Sequence, residues 1–97
     1  MRRSTALAIL RAHRDELRQR HVKSLALFGS VARDEAGPDS DVDLLVEFDG
    51  APVGLFAYAA LERYLAEILG RPVDLVTRKG LKPRLRERVL GEAIDAA

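Results

Sequence analysis

Apolar positions recur along this chain with two different periods, and each change of period marks a change of element. Ala6, Ile9, Leu10, His13 and Leu17 follow one another at three- to four-residue spacing with charged residues between them, which predicts one amphipathic helix over roughly residues 5–20, capped by Ser4. His13 lies on the apolar stripe, so it is expected to pack and not to ligate. Residues 24–28 form a short apolar run stopped by Gly29-Ser30, the pattern of a buried strand entering a tight turn, with a brief helical turn expected from Val31. After the turn-rich Gly37-Pro38-Asp39-Ser40, residues 41–48 alternate with period two. Val42, Leu44, Val46 and Phe48 point to the core, and Asp41, Asp43 and Glu47 point the other way.

The chain breaks again at Asp49-Gly50-Ala51-Pro52, and Tyr58, Leu61, Leu65, Ile68 and Leu69 then mark an amphipathic helix ended by Gly70. Pro72 opens a third strand over residues 73–77, and Pro83 suits the first turn of a last helix with Leu85, Val89 and Ala93 on one face. Helix, strand, strand, helix, strand, helix is the order of a small α/β (α+β) sandwich: one sheet with helices packed against it, as a single domain over residues 1–97.

Composition narrows the chemistry. With no cysteine among 97 residues, a disulfide framework, a thiolate zinc site and a cysteine nucleophile are excluded. Two histidines are too few for most zinc chemistry, so any metal would be a hard ion on carboxylate oxygens. The net charge of +1 hides a strong division, because residues 34–70 hold nine acids against one base, between two basic flanks. A negative centre is where a cation site belongs. No apolar stretch approaches the ~20 residues that span a bilayer. The run Ala6–Leu10 behind Arg2-Arg3 passes directly into charged residues, unlike a signal peptide, so a cytoplasmic location is expected.

Asp41 and Asp43 share one face of a strand at about 6–7 Å along the backbone, where two like charges repel unless water screens them or a cation bridges them. Asp74 stands in Val73-Asp74-Leu75-Val76, an apolar strand that ordinarily excludes a carboxylate, so it needs compensation. If the two strands are neighbours, the three acids can converge on divalent ions. Glu47 competes as third ligand but lies about 13 Å from Asp43 along an extended strand, and Asp74 is preferred. The Phe28-Gly29-Ser30 turn supplies the complement: glycine admits a ligand close to the backbone, the Ser30 hydroxyl can donate to a phosphate oxygen, and Arg33 can add a charged contact.

Phe28-Gly29-Ser30, ten residues, Asp41-Val42-Asp43-Leu44, then a strand-borne Asp74 resembles the nucleotidyltransferase superfamily of DNA polymerase beta. More narrowly, Gly29-Ser30-Val31-Ala32-Arg33 through Ser40-Asp41-Val42-Asp43-Leu44-Leu45-Val46 resembles the minimal nucleotidyltransferase (MNT) group. The resemblance implies a small mixed sheet, Asp41, Asp43 and Asp74 as catalytic residues and ligands of two magnesium ions, and Gly29, Ser30, Arg33 and Ser40 as nucleotide-binding residues. ATP would be the substrate, attacked in line at its α-phosphorus by a hydroxyl, with pyrophosphate leaving. One departure is Asp34, where relatives commonly carry glycine, and it adds negative charge beside the proposed phosphate pocket.

Larger members of the superfamily carry further domains to hold the acceptor, and 97 residues leave no room for them, so the acceptor is expected on a partner. Minimal members resemble the antitoxin of a pair whose toxin is an all-helical HEPN ribonuclease, which implies transfer of AMP to a toxin tyrosine. The alternative is a non-catalytic antitoxin that masks the toxin by binding. A third class, nucleic-acid binding through Arg78, Lys79, Lys82, Arg84, Arg86 and Arg88, lacks any base-stacking motif and is not expected.

Overall fold

The computed structural model describes residues Met1–Ala97. Strands β1 (Val22–Phe28), β2 (Val42–Phe48), β3 (Val73–Thr77) and β4 (Ile94–Asp95) form one sheet in the order β3-β2-β1-β4. The alternating segment read from the sequence becomes β2, an inner strand hydrogen-bonded on both edges, and Leu45, the apolar exception on its acidic side, is buried on the opposite face. β2 pairs with β1 antiparallel, Phe28 opposite Asp43, and with β3 parallel, Asp43 opposite Asp74. A parallel pair requires a crossover, which α4 (Leu55–Leu69) supplies. Gly70 closes α4 with φ +67°, a left-handed backbone that suits glycine.

The two faces of the sheet differ. Leu25 and Leu27 of β1, Val42, Leu44 and Val46 of β2 and Leu75 of β3 make one face wholly apolar and buried. It is covered by α1 (Arg3–Ala12), α2 (Arg14–Gln19) and α4 through Leu10, Leu17, Leu61, Leu65 and Leu69. On the opposite face Leu45 is buried with Leu81 and Val89, against Ala26, Phe28 and Val76, under α5 (Pro83–Glu92). Beyond that small cluster the second face is open, and Asp41 and Asp74 are exposed on it. No helix is long and apolar enough to cross a membrane.

Several local expectations are corrected. The first helix is interrupted at His13 (φ −106°, ψ 18°), and the helix begins at Arg3, so Ser4 lies inside it and is no cap. Its first N–H, that of Arg3, instead donates to Asp34 Oδ1 at 2.6 Å, a contact from 31 residues away. β1 begins at Val22, and the short helix α3 (Gly29–Ala32) begins at the glycine itself. Leu85 is 42% exposed; the buried partners on that side are Val89 and Leu81, the latter ahead of the helix. β4, too short for a periodic signature, was not expected; it and the residues after it are tied to β1, with Ala96 N–H donating to Leu25 O at 2.8 Å. His13 packs as expected, its ring edge-on to Tyr64.

Tyr58 of α4 donates its hydroxyl to Leu75 O of β3 at 2.6 Å, fastening the crossover helix to the strand it delivers. In urea unfolding, Leu65→Ala is expected to cost about 2–5 kcal/mol and Tyr58→Phe about 1 kcal/mol, whereas Leu85→Ala stays within about 0.5 kcal/mol.

Candidate active site

Strand register builds the site. Because Phe28 is the β1 residue opposite Asp43, the chain leaving β1 passes directly beside the Asp43 side chain. The residue there is Gly29, with φ +75°. A Cβ on Gly29 would fall on the Asp43 carboxylate, so both the backbone conformation and the close approach demand glycine. Ser30 follows in the first turn of α3, whose end is tied back by Arg33 N–H to Gly29 O at 3.2 Å and Glu35 N–H to Ser30 O at 2.8 Å.

The three sequence-predicted carboxylates share the open face. Asp43 is half-buried; Asp41, two residues earlier, and Asp74, its register partner on the parallel edge strand, are exposed. The Asp43 pKa is raised above the usual carboxylate value, first by burial and then by the charges of Asp74 and Asp41, with Arg33 acting in the opposite sense. Water, and not a protein partner, accommodates Asp74 in its otherwise apolar strand. Glu47 stands near the other end of β2, where it takes the Ser24 hydroxyl and pairs with Lys23 at 3.7 Å. Ser40, a nucleotide-binding candidate, and Asp34, the departure from the family pattern, are each engaged by hydrogen bonds. Ser40 Oγ accepts the Gly37 N–H at 2.9 Å and closes the turn ahead of β2. Asp34, in the left-handed region at φ +56°, turns its carboxylate to Arg3, so its charge is engaged at the start of α1.

Arg33 is held on two sides, by Glu35 Oε2 at 3.1 Å and by Glu92 Oε2 at 3.1 Å. Glu92 went unnoticed in the sequence, where a single acid at the end of a helix carries no signal; only the return of α5 over the sheet brings it to the turn. Its Oε1 also accepts the Gly29 N–H at 3.1 Å. A cleft of about 650 Å³ is lined by Ser24, Leu45, Thr77, Lys79 and Leu90 among others and by none of the carboxylates Asp41, Asp43 and Asp74.

No three carboxylate or imidazole side chains are drawn together as a metal-ligand set. The donor chemistry nevertheless suits a hard divalent cation: all oxygen, on one face, with Asp43 raised in pKa first by its burial and then by the charges of Asp74 and Asp41, a repulsion that a cation relieves.

A family model for the nucleotidyltransferase domain matches residues 10–96. The chain belongs to the nucleotidyltransferase domain family. It is 46% identical to protein adenylyltransferase MntA of Thermococcus cleftensis over 90% of this chain and 88% of the relative. A solved structure assigned as a minimal nucleotidyltransferase is 44% identical, with a TM-score of 0.81 over 97% of this chain and 95% of the other. A toxin–antitoxin structure with AMP-PNP is 25% identical, with a TM-score of 0.70 over 86% of this chain and 68% of the other. The nucleotidyltransferase fold expected from the sequence, a small mixed sheet with helices packed on it, is the fold observed.

The raised Asp43 pKa makes a stability prediction for this nucleotidyltransferase. Below the ordinary carboxylate pKa of about 3.9 the group is protonated folded and unfolded alike and contributes nothing; as pH rises through the raised folded value, the folded state alone bears the cost of ionisation. Asp43→Asn is therefore expected to raise the thermal midpoint of the metal-free protein near pH 7, and the gain should vanish by about pH 3. Gly29→Ala, strained in backbone and colliding with Asp43, is expected to lower the midpoint at every pH in the same melts.

Proposed function

We propose that this chain, as one minimal nucleotidyltransferase domain over residues 1–97, is a magnesium-dependent protein adenylyltransferase. In this reading it transfers AMP from ATP to a tyrosine hydroxyl of a HEPN-type toxin and so acts as the antitoxin. The observation that carries the proposal is the packing of the Gly29 backbone against Asp43, with Asp41 on the same strand and Asp74 in register beside it. Phosphate-accepting backbone and cation-holding carboxylates are thereby joined at one corner of the sheet. The name of the Thermococcus relative supports the transfer of AMP to a protein, and the toxin–antitoxin structure with AMP-PNP supports both a nucleotide and a toxin partner.

In this mechanism the Gly29-Ser30 turn binds the triphosphate, with the glycine admitting it to the backbone and the Ser30 hydroxyl donating to a phosphate oxygen. Arg33 adds a charged donor, and Ser40 keeps the approach to β2 in its turn. Asp41, Asp43 and Asp74 would hold magnesium, which when bound neutralises charge on the phosphates. Asp74, exposed on the edge strand, faces an incoming acceptor and takes the proton of the attacking tyrosine hydroxyl. The new bond joins that oxygen to the α-phosphorus as pyrophosphate departs. A cytoplasmic setting, where ATP and magnesium are at hand, belongs to the same proposal.

Incubation of the chain with a cognate helical toxin, ATP and magnesium is expected to add the mass of AMP to the toxin. Asp41→Ala, Asp43→Ala and Asp74→Ala should each reduce that transfer by at least about a hundredfold, as removal of charge-stabilising groups commonly does. Toxin inhibition that survives intact in these variants would replace catalysis with masking by contact.

A further inference from the structure

The phosphate-binding corner already contains an anion. Glu92 Oε1 accepts the Gly29 N–H at 3.1 Å and a proton of Arg33 Nη1 at 3.2 Å, while Oε2 accepts from the same Nη1 at 3.1 Å. One main-chain N–H at a glycine and one guanidinium are the donors that a phosphate oxygen would use there. The Glu92 side chain is 23% exposed, set under the end of α5, and its negative charge also acts on Asp43. A carboxylate placed beside another carboxylate is unfavourable on its own; the two donors hold it in position.

We propose that Glu92 is an internal competitor for the nucleotide's phosphate, latching the end of α5 onto the Gly29 turn until a nucleotide displaces it. The inference rests on reading that turn as the phosphate cradle. A triphosphate and the Glu92 carboxylate cannot use the same N–H together, and their charges repel. Arg33 stays positioned when Glu92 leaves, because its Nε remains bound to Glu35 Oε2 at 3.1 Å. The release is local: Val89, one turn earlier, is buried with Leu45 and Leu81, and β4 begins two residues after Glu92. Displacement therefore loosens the end of α5 and the approach to β4 while the body of the helix stays seated. By linkage, a partner on α5 that draws Glu92 away strengthens nucleotide binding, and the nucleotide strengthens that partner's binding by the same factor.

The test is calorimetric binding of a non-hydrolysable ATP analogue with magnesium to the wild type, Glu92→Gln and Glu92→Ala, alongside hydrogen exchange of residues 88–95. Glutamine keeps an oxygen for the Gly29 N–H without the charge, and alanine removes both contacts. Affinity should rise in the order wild type, Glu92→Gln, Glu92→Ala, by about tenfold in all. Exchange over 88–95 should increase when nucleotide binds the wild type and should already be high in nucleotide-free Glu92→Ala. Wild-type binding with no tightening in the near-isosteric Glu92→Gln, whose fold is checked by its melt, overturns the competitor role and leaves the enzymatic proposal standing. Absence of binding in all three proteins overturns the enzymatic proposal and the competitor role with it.

Discussion

Asp43 is where the constraints on this structure meet. Its strand is shared by an antiparallel and a parallel neighbour, so its position decides both which residue lies beside it at the end of β1 and which faces it on β3. The first is followed by a glycine whose missing side chain leaves space for the carboxylate; the second is another acid. A slip of one residue in the pairing of β2 would turn Asp43 into the apolar face and bring Leu44 out. The same alternation that buries Val42, Leu44 and Val46 therefore holds the acids on the open side.

The asymmetry of the sheet follows from this. One face is closed by three helices and supplies most of the hydrophobic stabilisation; the other keeps only Leu45, Leu81 and Val89 buried, under a single helix. A face that leaves Asp41 and Asp74 exposed to solvent and Asp43 half-exposed is not sealed. The burial of Asp43 and, after it, the charges of Asp74 and Asp41 raise its pKa and work against the metal-free fold, and the large opposite core offsets this. The negative centre and basic flanks read from the chain acquire a spatial meaning here. Of that negative centre only Asp41 and Asp43 stand at the start of β2 beside Asp74, while Asp34 and Glu47 are engaged with Arg3 and Lys23, and Arg33 pairs with Glu35 and Glu92.

Membership of the nucleotidyltransferase domain family matters because it joins chemistry to a fold of this size. Glu92 adds something that a motif does not describe. α5 both covers the small second core through Val89 and ends on the Gly29 turn through Glu92, so one helix joins the packing of the second face to the turn proposed as the phosphate cradle. Asp34 illustrates the converse. A charge that threatens the pocket when read in order along the chain is turned away by a left-handed backbone and serves as the cap of a distant helix.

What was legible in the sequence is what depends on near neighbours. Alternation identified β2 and the side its acids take; glycine and proline marked the turns; Gly29-Ser30 and Asp41-Val42-Asp43 stood out because their meaning lies within a few residues. The short β4 and the engagement of Asp34 with Arg3 were decided by pairing between segments far apart in the chain, and the break at His13 and the exposure of Leu85 were not written in the apolar spacing. Asp74 lay between the two cases: its anomaly in an apolar strand was visible, but only the parallel register set it opposite Asp43. Glu92 was wholly a matter of tertiary structure, since a carboxylate 63 residues from the turn it binds leaves no periodic trace. Local pattern is written by the geometry of a single helix or strand, whereas long-range pairing depends on which faces are left to bury once every element has formed.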